Sequence, residues 1–367
     1  MTVRIRAITL GFALALAAGV ATTAQAPAPF KLGTFQRPQA PQTPFVGVVV
    51  GTTVVDLRAA YAAIGTPALR NAPADMKDLI ARYDQGVRAG ILEVLAAVRR
   101  AGARRPAYVL DLAALKVLPP IMYPTTMMNV AVNYAEHDIE MARVRDGALN
   151  PTPTAGLAPP GTTSAPGIWE RREGDKRWNP FMFLKAAGAI VADGEAVRIP
   201  PKRTLIEWEC ELGVVIGRPT TAAAVDRAMD YVFGYTLEND MSDRGGRGDM
   251  RFGQDWLVGK SHDTFAPLGP FITPKEFVAD PGKLTVRFLL NGEQLQEGST
   301  SQMIHTIQEQ IAYGSSILSL RPGDVIATGT PPGVGSARTP PVLLKAGDRM
   351  ECTYEGIGTL RNPVVGS

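Results

Sequence analysis

Ile206-Glu207-Trp208-Glu209-Cys210-Glu211-Leu212-Gly213-Val214-Val215-Ile216-Gly217 reads as a strand, ended by Gly217-Arg218-Pro219. Side chains on a strand alternate faces, so Glu207, Glu209 and Glu211 share one face and Trp208, Cys210 and Leu212 the other, apolar one. Like charges in a row on one face destabilise a sheet. Same-face neighbours lie about 6.6–6.8 Å apart, close enough for two carboxylates to converge on one ion. Hard cations such as Mg²⁺ or Ca²⁺ take oxygen ligands of this kind. The competing reading is a solvated acidic face on an edge strand. The remainder of the chain decides between them.

Working outward, YVFGYTLEND is a second strand, with Asp240 at its mouth. A Gly-rich loop, MSDRGGRGDMRFGQDW, follows, then GKSHDTF with Lys260 and His262. Upstream, Phe181-Met182-Phe183-Leu184-Lys185 is an apolar strand closed by a lysine. Further upstream, Met127–Val132 is a short strand. Asn133 is a good N-cap and Glu136 completes a capping-box pattern. The helix that starts at Tyr134 places His137 and Glu140 at i, i+3 on one face. A His oriented by a carboxylate is a general-base arrangement; an ordinary surface pair has the same spacing. The chain has 3 His, so the pair is not background. Downstream, NGE at 291–293 is a hairpin turn, Met303–Leu318 has helical period, and RPGDVIATGTPPGVG ends in a Gly/Pro loop of the kind that gathers backbone N–H groups. LLKAGDRMECTYEGIGTLRNPV reads as two strands around a tight turn, and no internal repeat is visible.

Toward the N-terminus, FVGVVVGTTVVDL is a hairpin around Gly51-Thr52-Thr53. Residues 74–101 have helical period, with Asp75 as cap and Gly102 as stop. Residues 107–121 return to strand. Residues 45–118 therefore form a small α+β unit without convergent chemistry. Residues 27–44, rich in Pro and Gln, read as a linker. Residues 1–26 read as a secretory signal peptide: Arg4 and Arg6, an apolar run from Ile8 to Val20, then Ala24-Gln25-Ala26. A run this short does not span a bilayer, which takes about 20 residues; a retained interfacial anchor is the alternative. The protein is thus expected to be exported, periplasmic or secreted, with no integral membrane span.

Loss of Arg4 and Arg6 takes the formal charge from +3 to +1, which gives no support to nucleic-acid binding. Cys210 and Cys352 are the chain's 2 cysteines. An exported protein permits a disulfide, but Cys210 on an apolar face reads as a buried free thiol, as does Cys352. Residues 146–180 lack apolar periodicity. They form a lid, a dimer arm or a disordered excursion. Trp169 and Trp178, flanked by Arg171, Arg172, Lys176 and Arg177, indicate that the second half packs on something.

VNYAEHDIE, PFMFLKA, EWECELGVVIG, GYTLENDMSDR, GKSHDTFAPLGPFI, NGEQLQEGSTSQMI, RPGDVIATGTPPGVG and EGIGTLRNPV, in this order over about residues 123–364, resemble the fumarylacetoacetate hydrolase family. The resemblance implies an α+β fold, a β-rich mixed-sheet roll preceded by the small N-terminal unit. The catalytic part would be residues 119–367. It also implies a homodimer with one divalent cation, Mg²⁺ with Mn²⁺ or Ca²⁺ as alternatives. Glu209, Glu211 and Asp240 would be the metal ligands, with Glu207 a neighbour. Lys185 and Lys260 would face the substrate, and His137 with Glu140 would activate water or move a proton. Tyr134, Arg244 and Thr330 would bind substrate.

Three departures from the family stand out. The family usually has Asn-Asp-x-Ser-Ala-Arg-Asp; here Asp243 replaces the Ala and Gly245 the second Asp, so a carboxylate behind the ligands is lost or displaced. The 146–180 insert falls where many members have a short connection. Members are mostly cytoplasmic, and this chain carries an export signal. The chemistry implied is hydrolysis of a C–C bond in a β-diketone or acylpyruvate-type oxo acid. An oxo-acid decarboxylase, tautomerase or sugar-acid dehydratase would use the same site. An exported solute-binding protein without turnover is the rival from another class; it has no need of the His137–Glu140 dyad.

Overall fold

A computed structural model describes residues 28–146, 167–169, 172, 174–247 and 255–367. The predicted signal peptide and the first half of the insert lie outside the described residues. The chain begins with β1 (Lys31–Arg37) and β2 (Ala40–Val50), which pair antiparallel. The Pro/Gln-rich stretch is therefore not a linker. Leu32 and Phe35 are fully buried, and Leu32 pairs with Ile272 of a strand from the far end of the chain. Pro41 and Pro44 sit on the largely exposed start of β2, and Pro38 in the turn before it, which hid the short apolar alternation of β1.

β2 turns into β3 (Thr53–Asp56) as expected, Val50 opposite Thr53. Asp56 then caps α1 (Leu57–Ile64). The helical run at 74–101 is two helices, α2 (Met76–Ala81), capped by Asp75, and α3 (Val87–Ala101), stopped by Gly102. Gly86 separates them at φ +116°. β4 (Val109–Asp111) and β5 (Lys116–Leu118) close this part.

The remainder supplies β6 (Met127–Ala131), α4 (Ala135–Asp146), β7 (Phe181–Leu184) and the two-residue strands β8 (Ile190–Val191), β9 (Val197–Arg198) and β10 (Ile206–Glu207). Then come β11 (Cys210–Ile216), β12 (Val232–Asn239), β13 (Ser242–Asp243), α5 (Trp256–Lys260) and β14 (Ala266–Pro274). The chain ends with β15 (Thr285–Leu290), β16 (Glu293–Ser299), α6 (Ile307–Ile317), β17 (Val325–Ala327), β18 (Arg349–Tyr354) and β19 (Gly358–Val365).

The large sheet runs β4-β3-β2-β1-β14-β12-β11-β17-β6-β7, so strands on both sides of residue 118 share one sheet. A common apolar core confirms the continuity: Leu57, Leu79 and Ile91 pack with Met127, Val215, Phe233 and Val325. A second sheet, β16-β15-β18-β19-β9, packs its apolar side on β11, with Trp208, Leu212, Val214, Phe288 and Leu360 in one cluster. Most pairings are antiparallel; β17–β6, β14–β8 and β19–β9 are parallel. This is a β-rich mixed-sheet α+β fold.

Two expectations fail at the deciding stretch. The single strand is two, β10 and β11, because Trp208-Glu209 turns toward the end of β12: Glu209 N–H donates to Asn239 Oδ1 (3.0 Å) and Asp240 N–H to Glu209 O (2.8 Å). The cysteines are not free thiols. Cys210 and Cys352 form a disulfide, with Cα atoms 5.4 Å apart. The apolar face that buries Cys210 is the one on which β18 lies, so the two thiols meet across the sheets.

Candidate metal centre and proton-transfer site

β11 and β12 pair with Glu211 opposite Glu238, and β12 runs on into Asp240. The carboxylates of Glu209, Glu211 and Asp240 each offer an oxygen within 4.8 Å of the others, and all three residues are buried. A solvated acidic edge is thereby excluded, since Glu207, Glu209 and Glu211 are 0%, 6% and 1% exposed. An all-oxygen set of three carboxylates suits a hard divalent cation. The charges agree with it. Glu207, Glu209, Glu211, Glu238 and Asp240 are five buried carboxyls crowded against three cationic side chains, Lys185, Lys260 and Arg244.

The two lysines engage the carboxylates themselves. Lys260 Nζ donates to Glu209 Oε2 (2.8 Å) and Asp240 Oδ2 (2.5 Å). Lys185 Nζ donates to Asp240 and to Met241 O (3.2 Å). Arg244, predicted to bind substrate, bridges Glu207 and Glu209. Glu207 also accepts from Ser336 N–H, and it is not one of the three carboxylates that converge. Glu211 accepts from Gly329 N–H (2.8 Å). A Cβ on Gly329 would lie 2.7 Å from that of Asn133, so only glycine brings this amide so close.

These environments split the acids. Burial disfavours the Glu209 anion, but Lys260, Arg244 and His137 outweigh it and hold its carboxyl below the usual range. Burial, then Asp240, Glu238 and Glu209, push Glu211 well up. Glu238 is pushed up to about 8 by burial first and Asp240 second, against Lys185 and the 2.7 Å bond from Asn129 Nδ2. Glu238 and Asn129 escaped the sequence reading. The signal was present: Glu238 stands two residues before Asp240, so strand alternation puts it on the same face.

The dyad forms. His137 Nδ1 and Glu140 Oε1 are 2.6 Å apart, and His137 is buried. Glu140 also accepts from Gly333 N–H at 2.9 and 3.1 Å, in the Gly/Pro loop after β17. Gly333 has φ +106°, and a Cβ there would lie 2.2 Å from Leu295 O. Asn133 is not the helix cap. Its Oδ1 accepts from His305 N–H (2.8 Å) and its Nδ2 donates to His305 O (3.1 Å) and Thr328 O (2.8 Å). It clamps two loops to the start of α4 instead.

Tyr134 is 1% exposed and lies beside Glu211 and Tyr354. Thr330 is equally enclosed: its hydroxyl donates to Cys210 O (3.2 Å) and accepts from Gln296 (2.9 Å). Both sit in the wall of the site. From the described end of the insert, Trp169 packs edge-on against His305 and Tyr313. Arg177 pairs with Asp175 and with Glu309 of α6 (2.7 Å to each). Trp169 and Arg177, in the described part of the insert, thus do pack on the body of the protein, while Trp178 stays exposed.

Residues 126–365 match the family described as fumarylacetoacetate (FAA) hydrolase, C-terminal. The chain belongs to the fumarylacetoacetate hydrolase family. A mitochondrial oxaloacetate tautomerase, fahd2 of Xenopus laevis, is 35% identical over 258 residues, 70% of this chain and 71% of that protein. A 2,4-didehydro-3-deoxy-L-rhamnonate hydrolase of Sphingomonas sp. (strain SKA58) is 41% identical over 186 residues, 50% of this chain and 65% of that one. Among solved structures, a maleylpyruvate hydrolase from Sphingobium sp. SYK-6, in complex with manganese(II) and pyruvate, superposes with a TM-score of 0.62. It is 25% identical, over 92% of this chain and 99% of that one. This membership carries the mixed-sheet fold with it. Relatives in the family are hydrolases and tautomerases, so the reaction must be argued from the site.

Proposed function

We propose that the protein is a divalent-metal-dependent hydrolase that cleaves a C–C bond in an acylpyruvate-type oxo acid or β-diketone. The observation that carries this reading is the 2.6 Å His137–Glu140 contact, fixed by Gly333 N–H, beside the Glu209/Glu211/Asp240 cluster. Glu140, as a carboxylate, accepts from Nδ1–H of His137. That leaves Nε2 free to take a proton from water. Imidazolium formed in this way is stabilised by the same carboxylate. Glu209, Glu211 and Asp240 would hold the cation, which supplies Lewis-acid polarisation of a chelating carbonyl. Mg²⁺ suits the oxygen donors, and the maleylpyruvate hydrolase that contains manganese(II) supports Mn²⁺ as an alternative.

A second reading is favoured by the similarity to the oxaloacetate tautomerase over 70% of this chain. With no water positioned, the same dyad would move a proton between carbon and oxygen of an oxo acid. One assay separates the two. The protein is incubated with Mg²⁺ or Mn²⁺ and either an acylpyruvate or oxaloacetate, against metal-only controls. Stoichiometric pyruvate from the acylpyruvate supports hydrolysis. Loss of the enol absorbance of oxaloacetate without cleavage products supports tautomerisation. Tight binding with neither outcome, over the full range of oxo acids, would make it a binding protein.

The address and assembly are proposals of the same kind. Export is supported by the residue pattern at 1–26 and by the Cys210–Cys352 bond, since disulfides persist in oxidising compartments. N-terminal sequencing of protein from its own host should start at or near Pro27. Among the described residues no helix is long and apolar enough to cross a membrane. A homodimer is supported by Phe181 and Leu184 on the edge strand β7 and Leu257 on α5, which are 54%, 58% and 70% exposed. Light scattering checks it.

A further inference from the structure

We propose that Asp243 is a positioning residue that, through Arg203 and His262, holds Arg244 and Lys260 against the metal-ligand carboxylate Glu209. The inference rests on the reading of Glu209, Glu211 and Asp240 as a divalent-cation site. Asp243 is 4% exposed and its carboxylate has three partners. Oδ2 accepts from Arg203 Nε (2.5 Å) and faces His262 Nε2 (3.1 Å); Oδ1 accepts from Gly245 N–H (2.9 Å).

Each partner leads to a different segment of the site. Arg203 also donates from Nη2 to Gly246 O (2.6 Å). Its guanidinium lies in the space a side chain at Gly245 would need: a Cβ there would be 2.8 Å from Nη2. The absence of a side chain at 245 and the presence of a carboxylate at 243 are therefore one arrangement. Pairing of Ile206 with Asp243 and of Glu207 with Ser242, and donation from Arg244 N–H to Leu205 O (2.8 Å), lock the segment that runs into Arg244. Arg244 then reaches Glu207 and Glu209.

The third partner belongs to the other cation. His262 follows Lys260 by two residues, just past the end of α5, and its ring packs edge-on against Phe265 at 5.0 Å. Lys260 bridges Glu209 and Asp240. One buried carboxylate thus ties together the backbone segments that carry the two cations on Glu209. His262, engaged in this way, is an anchor and not a second base.

The test uses the full chain freed of metal. Asp243→Asn preserves shape and the Gly245 contact but removes the charge that Arg203 and His262 share. Mn²⁺ binding is titrated by calorimetry, and thermal unfolding of the metal-free protein is measured in parallel. Groups that orient metal ligands typically change metal affinity by about 10–100-fold when altered. A weakening of Mn²⁺ binding in that range, with the metal-free midpoint close to wild type, is the expected result. Unchanged Mn²⁺ affinity would overturn the role. Should Asp243→Asn not fold, Arg203→Lys answers instead: its side chain lies partly in solvent, and it should weaken Mn²⁺ binding in the same direction. Wild-type protein that binds no Mn²⁺ would refute the metal reading itself. Binding by wild type and variant alike would refute only the positioning.

Discussion

His137 and Glu140 stand one turn apart on α4, and Glu140 is held from the far side by Gly333 N–H. If Glu140 acts only through the imidazole it orients, the two losses cannot multiply. His137→Ala should lower kcat by about 10²–10⁴-fold, the usual contribution of a general base. Glu140→Gln should lower it too, and the double variant should be little worse than His137→Ala. Multiplicative losses in steady-state kinetics would put the two in separate roles. The carboxylates divide in the same manner. Glu209→Ala, Glu211→Ala or Asp240→Ala should each abolish activity and Mn²⁺ binding, because one of three donors is lost. Glu207→Gln should be milder, since Glu207 points to Arg244 and Ser336. Equal loss of Mn²⁺ binding at Glu207 would show that the ligand register is wrong. The convergence of the carboxylates and the His137–Glu140 contact were legible because strand alternation and helical i, i+3 spacing are local rules. The partners of Lys185, Lys260 and Tyr134 were not: they are brought together by tertiary packing of distant segments, which no local pattern records.

At the scale of elements, β11 is the strand on which everything converges. It pairs with β12 and β17, faces β18, and carries Glu211, one of the three converging carboxylates, near one end. Its break from β10 could not be read from the alternation of Glu207, Glu209 and Glu211, because the cause is a tertiary hydrogen bond from Glu209 N–H to the Asn239 side chain. The disulfide escaped for a related reason. An apolar face around Cys210 foretells burial, and it says nothing of which residue lies opposite until the second sheet is placed. The bond closes a span of 142 residues. Removing a native disulfide typically costs about 2–5 kcal/mol. Cys210→Ala with Cys352→Ala should lower stability to denaturant by that order. Both sulfurs are enclosed, at 0% and 1% residue exposure, so a mild reductant should leave the folded protein's thermal midpoint unchanged. A midpoint that falls on reduction under native conditions would show that the site opens.

For the molecule as a whole, the question is how the first 118 residues are joined to the site-bearing remainder. One sheet and one apolar core run through both, which is why the pattern of a small independent unit was misleading: a hairpin and two helices look alike whether they stand alone or extend a larger sheet. Charge also crosses the seam. Glu276 accepts from Tyr83 OH (2.7 Å) and from Arg88 Nε (3.0 Å), both from the N-terminal part. Burial opposes ionisation of Glu276, but the bonds from Arg88 and Tyr83 outweigh it and hold its carboxyl below the ordinary value. A carboxyl depressed in the folded state stabilises the fold at pH above its unfolded value, about 4.3. That contribution disappears as pH falls through the lower, folded value. Glu276→Gln should therefore be less stable than wild type at neutral pH by a constant margin, and the gap should close as the pH drops below about 4. Urea unfolding from pH 7 to 3 reads it directly. A gap that persists undiminished at pH 3 would mean that the loss comes from packing at the seam and not from the charge of Glu276. A gap that widens in acid would reverse the sign and place the Glu276 carboxyl above its ordinary value.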